Sequence, residues 1–275
     1  MTRLPRLLLF GPGYCGAAIA RAAATSGYDV ITAGRTDFDA AMKALPEATH
    51  LISTVPPDGE GDPILARHGT AIAAAPALRW IGYLSATSVY GDRAGATVDE
   101  DTPPAPTNER GQRRLAAERA WEKAAAGRPL DLFRLAGIYG PGRSVFAALR
   151  SGEARRILKP GHVFGRIHRD DVAAAVLAAM RTPPAGMRVL NLTDDAPAES
   201  AAVLEEAARL IGIPVPPALG FAEAYDAMSP IARSFWDENR RVLSRKTRAA
   251  LGLAWRYPSY REGLAAILAE ESGEG

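Results

Sequence analysis

Short apolar runs alternate with stretches of helical spacing through the first two-thirds of the chain. RLLLF (6–10), DVITAG (29–34), HLISTV (50–55), LRWIGYLS from Leu78, PLDLFRLA from Pro129 and RVLNLT from Arg188 have the length and apolar density of strands buried on both faces. Between them, Ala17 to Ser26, Phe38 to Leu45 and Arg113 to Ala126 keep the period of helices. The alternation predicts an α/β fold, a doubly wound parallel sheet with helices on its faces. After Thr193 the texture changes to helical segments divided by prolines. IPVPPALG is the clearest break, and YREGLAAILAEE closes the chain as an amphipathic helix. The expected organisation is a sheet domain over 1–192 and a smaller, mainly helical lobe over 193–275 that acts as a lid or substrate lobe.

Composition narrows the partners. A chain of 275 residues, 47% hydrophobic, can bury a large core. Its 33 basic and 31 acidic residues are scattered, so no long single-sign run is available for nucleic acid or an anionic membrane. Small molecules are the expected partners, and homo-oligomer formation stays open. The opening MTRLPRLLLFGPG breaks its apolar run far short of the ~20 residues of a membrane span, so neither a signal peptide nor an anchor is expected. With one cysteine, Cys15, no intramolecular disulfide can form, which fits a reducing cytoplasm. His50, His68, His162 and His168 lack metal-ligand spacing, and no metal is expected.

FGPGYCGAAIA (10–20) places Gly11, Gly13 and Gly16 between a strand and a helix, with the spacing of a dinucleotide fingerprint. One glycine makes the turn, one admits a pyrophosphate to the backbone, and one packs helix on strand. The helix N-terminus adds free N–H groups and positive dipole, bringing Tyr14 and Cys15 to the cofactor as well. A redox role for Cys15 is the alternative to a small buried side chain. The second strand ends in Arg35-Thr36 where an NAD-preferring site would carry an acid; this favours the 2′-phosphate of NADP over NAD. The alternative is a solvated arginine with Asp37 or Asp39 turned to the ribose. Thr54, Val55 and Pro56, at the end of the third strand, are expected to line the cofactor groove, unless they merely stop a strand at two prolines.

Further segments carry a resemblance. YLSATSVYGD from Tyr83, RLAGIYGPGR from Arg134, GRIHRDDVAAAVLAAM from Gly165, VLNLTDDAP and RKTRAALGLAWRYPSYREGL resemble, in order, the extended short-chain dehydrogenase/reductase family of NAD-dependent epimerase/dehydratase type. The resemblance implies a Rossmann fold and cofactor contacts that extend to Ser85, Arg114, Leu135, Gly137 and Ile138. It also implies a Ser or Thr that polarises the substrate, a Tyr that moves its proton and a Lys four residues on. Alignment puts Ala86, Arg110 and Arg114 at those three positions, so the usual acid–base groups are missing. Arginine does not shuttle protons near neutrality.

Ser85, Thr87 and Ser88 flank the vacated hydroxyl position. Ser85, Thr87 and His168 are therefore the catalytic candidates, with Tyr90 and Tyr139 assigned to packing. Arg143, Arg166 and His168 are the substrate-side candidates; a surface role for the arginines and a structural His168 beside Asp170 or Asp171 are the alternatives. The expectation is an oxidoreductase or epimerase-like protein acting on a small sugar-like or anionic metabolite through a nonstandard site. Its rival is a catalytically silent NADP-binding sensor.

Overall fold

The computed structural model describes residues 4–273. Met1–Arg3, where the reading of a chain without a leader begins, lie outside the described residues. The chain opens with β1 (Arg6–Phe10), α1 (Tyr14–Thr25), β2 (Asp29–Ala33), α2 (Phe38–Ala41), β3 (His50–Ser53), α3 (Pro63–Ala74) and β4 (Trp80–Ala86). Next come β5 (Thr97–Val98), α4 (Glu109–Ala125), β6 (Leu130–Leu135), β7 (Gly137–Tyr139), α5 (Phe146–Arg150), β8 (Arg156–Leu158), β9 (Arg166–His168), α6 (Arg169–Arg181) and β10 (Met187–Leu192). The last third holds α7 (Ser200–Leu210), β11 (Ala218–Gly220), α8 (Phe221–Asp226), α9 (Pro230–Trp236), β12 (Arg241–Val242), α10 (Arg245–Leu251) and α11 (Tyr260–Glu271).

Six strands form one sheet in the order β10-β6-β4-β3-β1-β2, and every pairing in it is parallel. This is the doubly wound α/β arrangement that the alternating pattern predicts. The strands read as continuous apolar runs because both faces are covered. Leu7 and Leu9 of β1 enter a core shared with Ile19 of α1 and Val172 and Val176 of α6. Leu8 and Phe10 point the other way, into a core with Ile64 and Ile72 of α3 and Trp121 of α4. β1 lies between β2 and β3, so the direction in which the sheet grows reverses there. Such a switch point leaves a crevice at the carboxyl ends of the strands, where open α/β sheets take their ligands.

A third core joins Phe146 and Leu149 of α5 to Val203, Leu204 and Ala207 of α7 and to Tyr260, Leu264 and Ile267 of α11. The late chain is not purely helical: β11 pairs with β8 and β12 with β5, both in parallel, binding late segments to earlier ones. β7 and β9 pair likewise just past the carboxyl edge of the main sheet. No helix among the described residues is long and apolar enough to cross a membrane.

Candidate functional site

The loop between β1 and α1 is set by two of its glycines, Gly11 and Gly16, for different reasons. Gly11 has φ +87, a left-handed conformation that L side chains rarely adopt, and its N–H donates to Ala33 O at 2.9 Å. Its carbonyl accepts from Thr54 Oγ1 at 2.6 Å, which ties the loop to the end of β3. A Cβ at Gly16 would collide with the Gly11 carbonyl and stand 3.2 Å from Leu9, so α1 can pack this closely on β1 only through glycine. Gly13 is the exception. Its φ of −76 suits any residue, and a Cβ there would meet nothing within 4 Å. It caps α1 without a side-chain hydrogen bond, and the first turn carries no acid, so the helix presents its N–H groups and positive dipole outward.

Two cations flank this helix start. The guanidinium of Arg169 lies 5.1 Å and that of Arg143 5.6 Å from the Tyr14 ring centre, and the Tyr14 hydroxyl donates to Pro141 O at 3.0 Å. Cys15 points into the sheet core, and burial pushes its thiol up to about 11, so it stays protonated at neutral pH and is a packing residue. At the end of β2, Arg35 and Thr36 are exposed, and Arg35 makes no hydrogen bond or ion pair among the described residues. Asp39 is turned away, held by Arg67 at 2.5 Å and His68 at 3.0 Å.

Farther along the same edge, β4 and β6 end at a cavity of about 530 Å³. β4 stands two strands from β1, about 10 Å at the usual ~4.8 Å strand spacing. Ala86, Thr87 and Ser88 at the end of β4, Leu135, Gly137 and Ile138 around the end of β6, and Arg110 and Arg114 of α4 line it. Arg166 from β9, and Phe235, Trp236, Glu238 and Arg240 from the late chain, complete the wall. Thus the three positions where the resemblance expects a hydroxyl, a phenol and an amine all meet the cavity, and they carry Ala86, Arg110 and Arg114.

The arginines come together because of how α4 starts. Asn108 caps it, its Oδ1 accepting from Gly111 N at 2.9 Å. Gly111 lets the helix come close: a Cβ there would stand 2.7 Å from Ser88 O. Glu238 fixes the cap from the late chain, accepting from Asn108 Nδ2 at 2.7 Å, Thr107 Oγ1 at 2.9 Å and Arg240 at 2.7 Å. Arg110, Arg114 and Glu118 recur every four residues and share one helix face. Glu118 is the buried end of that stripe, paired with Arg134 at 2.8 Å and accepting from Ser85 Oγ at 2.5 Å. Arg114 Nη1 donates to Tyr83 Oη at 2.9 Å and to Leu84 O at 3.0 Å.

The remaining candidates separate. Thr87 lines the cavity, whereas Ser85 turns inward to the Glu118–Arg134 pair and does not. His168 is 1% exposed and caps α6, its Nδ1 accepting from Asp170 N at 3.2 Å. Burial lowers its pKa to about 4, so it is neutral at physiological pH, edge-on to Tyr139 and outside the cavity lining. Asp171 accepts the N–H groups of Arg256 and Tyr257. Arg166 lines the cavity, with Nη1 donating to Phe164 O and Ala198 O; Arg143 lies at the glycine loop instead. Tyr139 packs against Gly263, and burial raises its pKa out of reach of neutral proton transfer. Sequence reasoning missed Arg169, Phe235, Glu238 and Arg240. The aromatic-and-charged run SFWDENRR in an otherwise plain stretch was the available signal for three of these.

No family model matches the chain. A solved structure of a conserved protein of unknown function from Silicibacter pomeroyi DSS is 43% identical, covers 97% of this chain and 99% of its own, and superposes with a TM-score of 0.88. Protein YeeZ of Escherichia coli K12 is 31% identical over 183 residues. That match covers 64% of this chain and 64% of YeeZ, so it spans less than two-thirds of the curated relative's length. The structure of human epimerase family protein SDR39U1 (isoform 2) with NADPH has a TM-score of 0.77 at 18% identity, covering 95% of this chain and 98% of that one.

Proposed function

We propose that the chain is a member of the extended short-chain dehydrogenase/reductase superfamily, that it binds a nicotinamide dinucleotide along the carboxyl edge of its sheet, and that it acts on a small metabolite held in the cavity beyond β4 and β6. The observation that carries this reading is the glycine loop and the cavity lying on one edge, two strands apart. The residues present fit such a cofactor. Neither backbone conformation nor a neighbouring side chain calls for glycine at position 13, whose bare face opens beside unpaired helix N–H groups. Close approach of a pyrophosphate accounts for it. Arg143 and Arg169 add charge at the same place, and the free Arg35 suits the 2′-phosphate of NADP.

When bound, the nicotinamide supplies or accepts a hydride. The chain's own groups must then manage charge and protons at the substrate. Arg110 and Arg114 keep their protons and act as fixed positive charge toward developing negative charge. Thr87 and Ser88, next to Ala86, are the hydroxyls placed to relay a proton in the cavity. A second reading, a silent NADP-responsive protein, draws support from the same two arginines, because both proton-handling positions are occupied by groups that do not titrate.

Incubation with NADPH and a panel of carbonyl compounds and sugar nucleotides, followed by the absorbance of the reduced nicotinamide, decides between them. The enzyme reading expects turnover that falls about 100-fold in Thr87→Val combined with Ser88→Ala. Stabilisation by NADPH against heat, with no turnover across the panel, supports the silent protein instead.

A further inference from the structure

The cavity lining carries four arginines, Arg110, Arg114, Arg166 and Arg240, and among its described residues a single carboxylate, Glu238. That carboxylate is already committed, accepting from Arg240, Asn108 and Thr107. Arg240 is thereby neutralised, and its Nη1 also donates to Gly91 O at 2.9 Å. Arg166 spends donors on two backbone carbonyls. Arg110 differs from all of these. It makes no hydrogen bond or ion pair among the described residues, and its guanidinium lies 3.9 Å from the centre of the Phe235 ring. Arg114, one turn farther along the same face, commits only Nη1, to two neutral oxygens. Two forks of N–H donors therefore share one face of α4 with most donors unused, and like charges held this close call for a counter-ion.

We infer that Arg110 and Arg114 form an oxyanion-binding site, so that the substrate carries a carboxylate or phosphate group beside its reacting atoms. The inference rests on the reading of this cavity as the substrate site. Bidentate N–H donation matches the paired oxygens of either anion, and Phe235 holds the Arg110 fork preformed while excluding water from one face. The residues at the former proton-shuttle positions thus recognise charge.

Calorimetry with oxalate and with inorganic phosphate, each titrated with and without NADPH, tests this. Saturable binding of at least one probe is expected, and which one binds tells carboxylate from phosphate. Arg110→Gln should weaken it about 10-fold or more, with Arg110→Lys restoring only part because a point charge lacks the fork. Glu238→Gln, which removes the one negative charge while keeping a hydrogen-bonding side chain, should tighten it about 3-fold. Arg110 is exposed, so its variants should melt with the wild type. Absence of binding by both probes, or equal binding by Arg110→Gln, overturns the inference. NADPH titration of the wild type in the same series is a separate readout. Failure there removes the cofactor reading, while the oxyanion site is still decided by the probes alone.

Discussion

At the β1 end of the carboxyl edge, packing dictates the residues: Gly16 has no room for a side chain against Gly11, and Thr54 is bonded to the loop it supports. At the β4 end, the side chains face about 530 Å³ of open cavity, and those expected from the resemblance are replaced by Ala86, Arg110 and Arg114. The contrast shows what each kind of recognition demands. A pyrophosphate held by main-chain N–H groups needs a backbone shape, and that shape is enforced by steric contacts that also hold the fold together. Proton transfer needs only the right atom on a side chain, and a cavity places few constraints on which atom that is.

The comparison breaks if the inner end of the α4 stripe proves as dispensable as its outer end. Glu118→Ala leaves the buried Arg134 without its partner, and unfolding by denaturant should show a loss of about 4 kcal/mol. Arg110→Gln on the same face should change stability by less than about 0.5 kcal/mol. At the β1 end, Gly16→Val forces a branched side chain onto the Gly11 carbonyl and should cost about 3 kcal/mol in the same measurement.

The far wall of the cavity sharpens the picture through pH. Asp194, behind Arg166, is 1% exposed, and burial pushes its carboxyl up to about 7, with only partial relief from the Ala196 N–H and the Arg166 charge. The native state then keeps a proton that the unfolded chain releases near pH ~3.9. Its contribution to stability is full below that pH and declines as pH rises toward 7. Asp194→Asn should flatten this decline and raise stability at pH 8 by on the order of 2 kcal/mol, read from unfolding curves across pH. The effect on cofactor choice belongs to the exposed Arg35. Arg35→Ala should weaken NADPH about 10-fold while leaving NADH unchanged, and equal loss for both would remove the phosphate-clamp argument.

The central sheet was legible because its strands are largely apolar runs bounded by breakers, and the inner four, β1, β3, β4 and β6, are buried along nearly their whole length. α4 begins at Glu109 and not at Arg113 because the Asn108 cap lies in a charged stretch without helical apolar periodicity. α3 carried a start signal in Asp62-Pro63, a capping acid followed by proline at the first position, that apolar spacing alone did not reveal. β11 and β12, three and two residues long, are too short for a period-two pattern. At the site, the glycine spacing and the three altered positions could be read directly. The inward turn of Ser85 and the arrival of Glu238 at the α4 cap depend on contacts 33 and 130 residues apart, which local pattern does not encode.

The most direct test is calorimetric titration of NADPH into the wild-type protein and into Gly13→Val. A Cβ at Gly13 touches nothing in the fold, so the variant should melt at the wild-type temperature, whereas its side chain occupies the space assigned to the pyrophosphate. The account predicts saturable binding by the wild type and its loss in Gly13→Val. Equal affinity in both proteins, or no binding by the folded wild type, would contradict it.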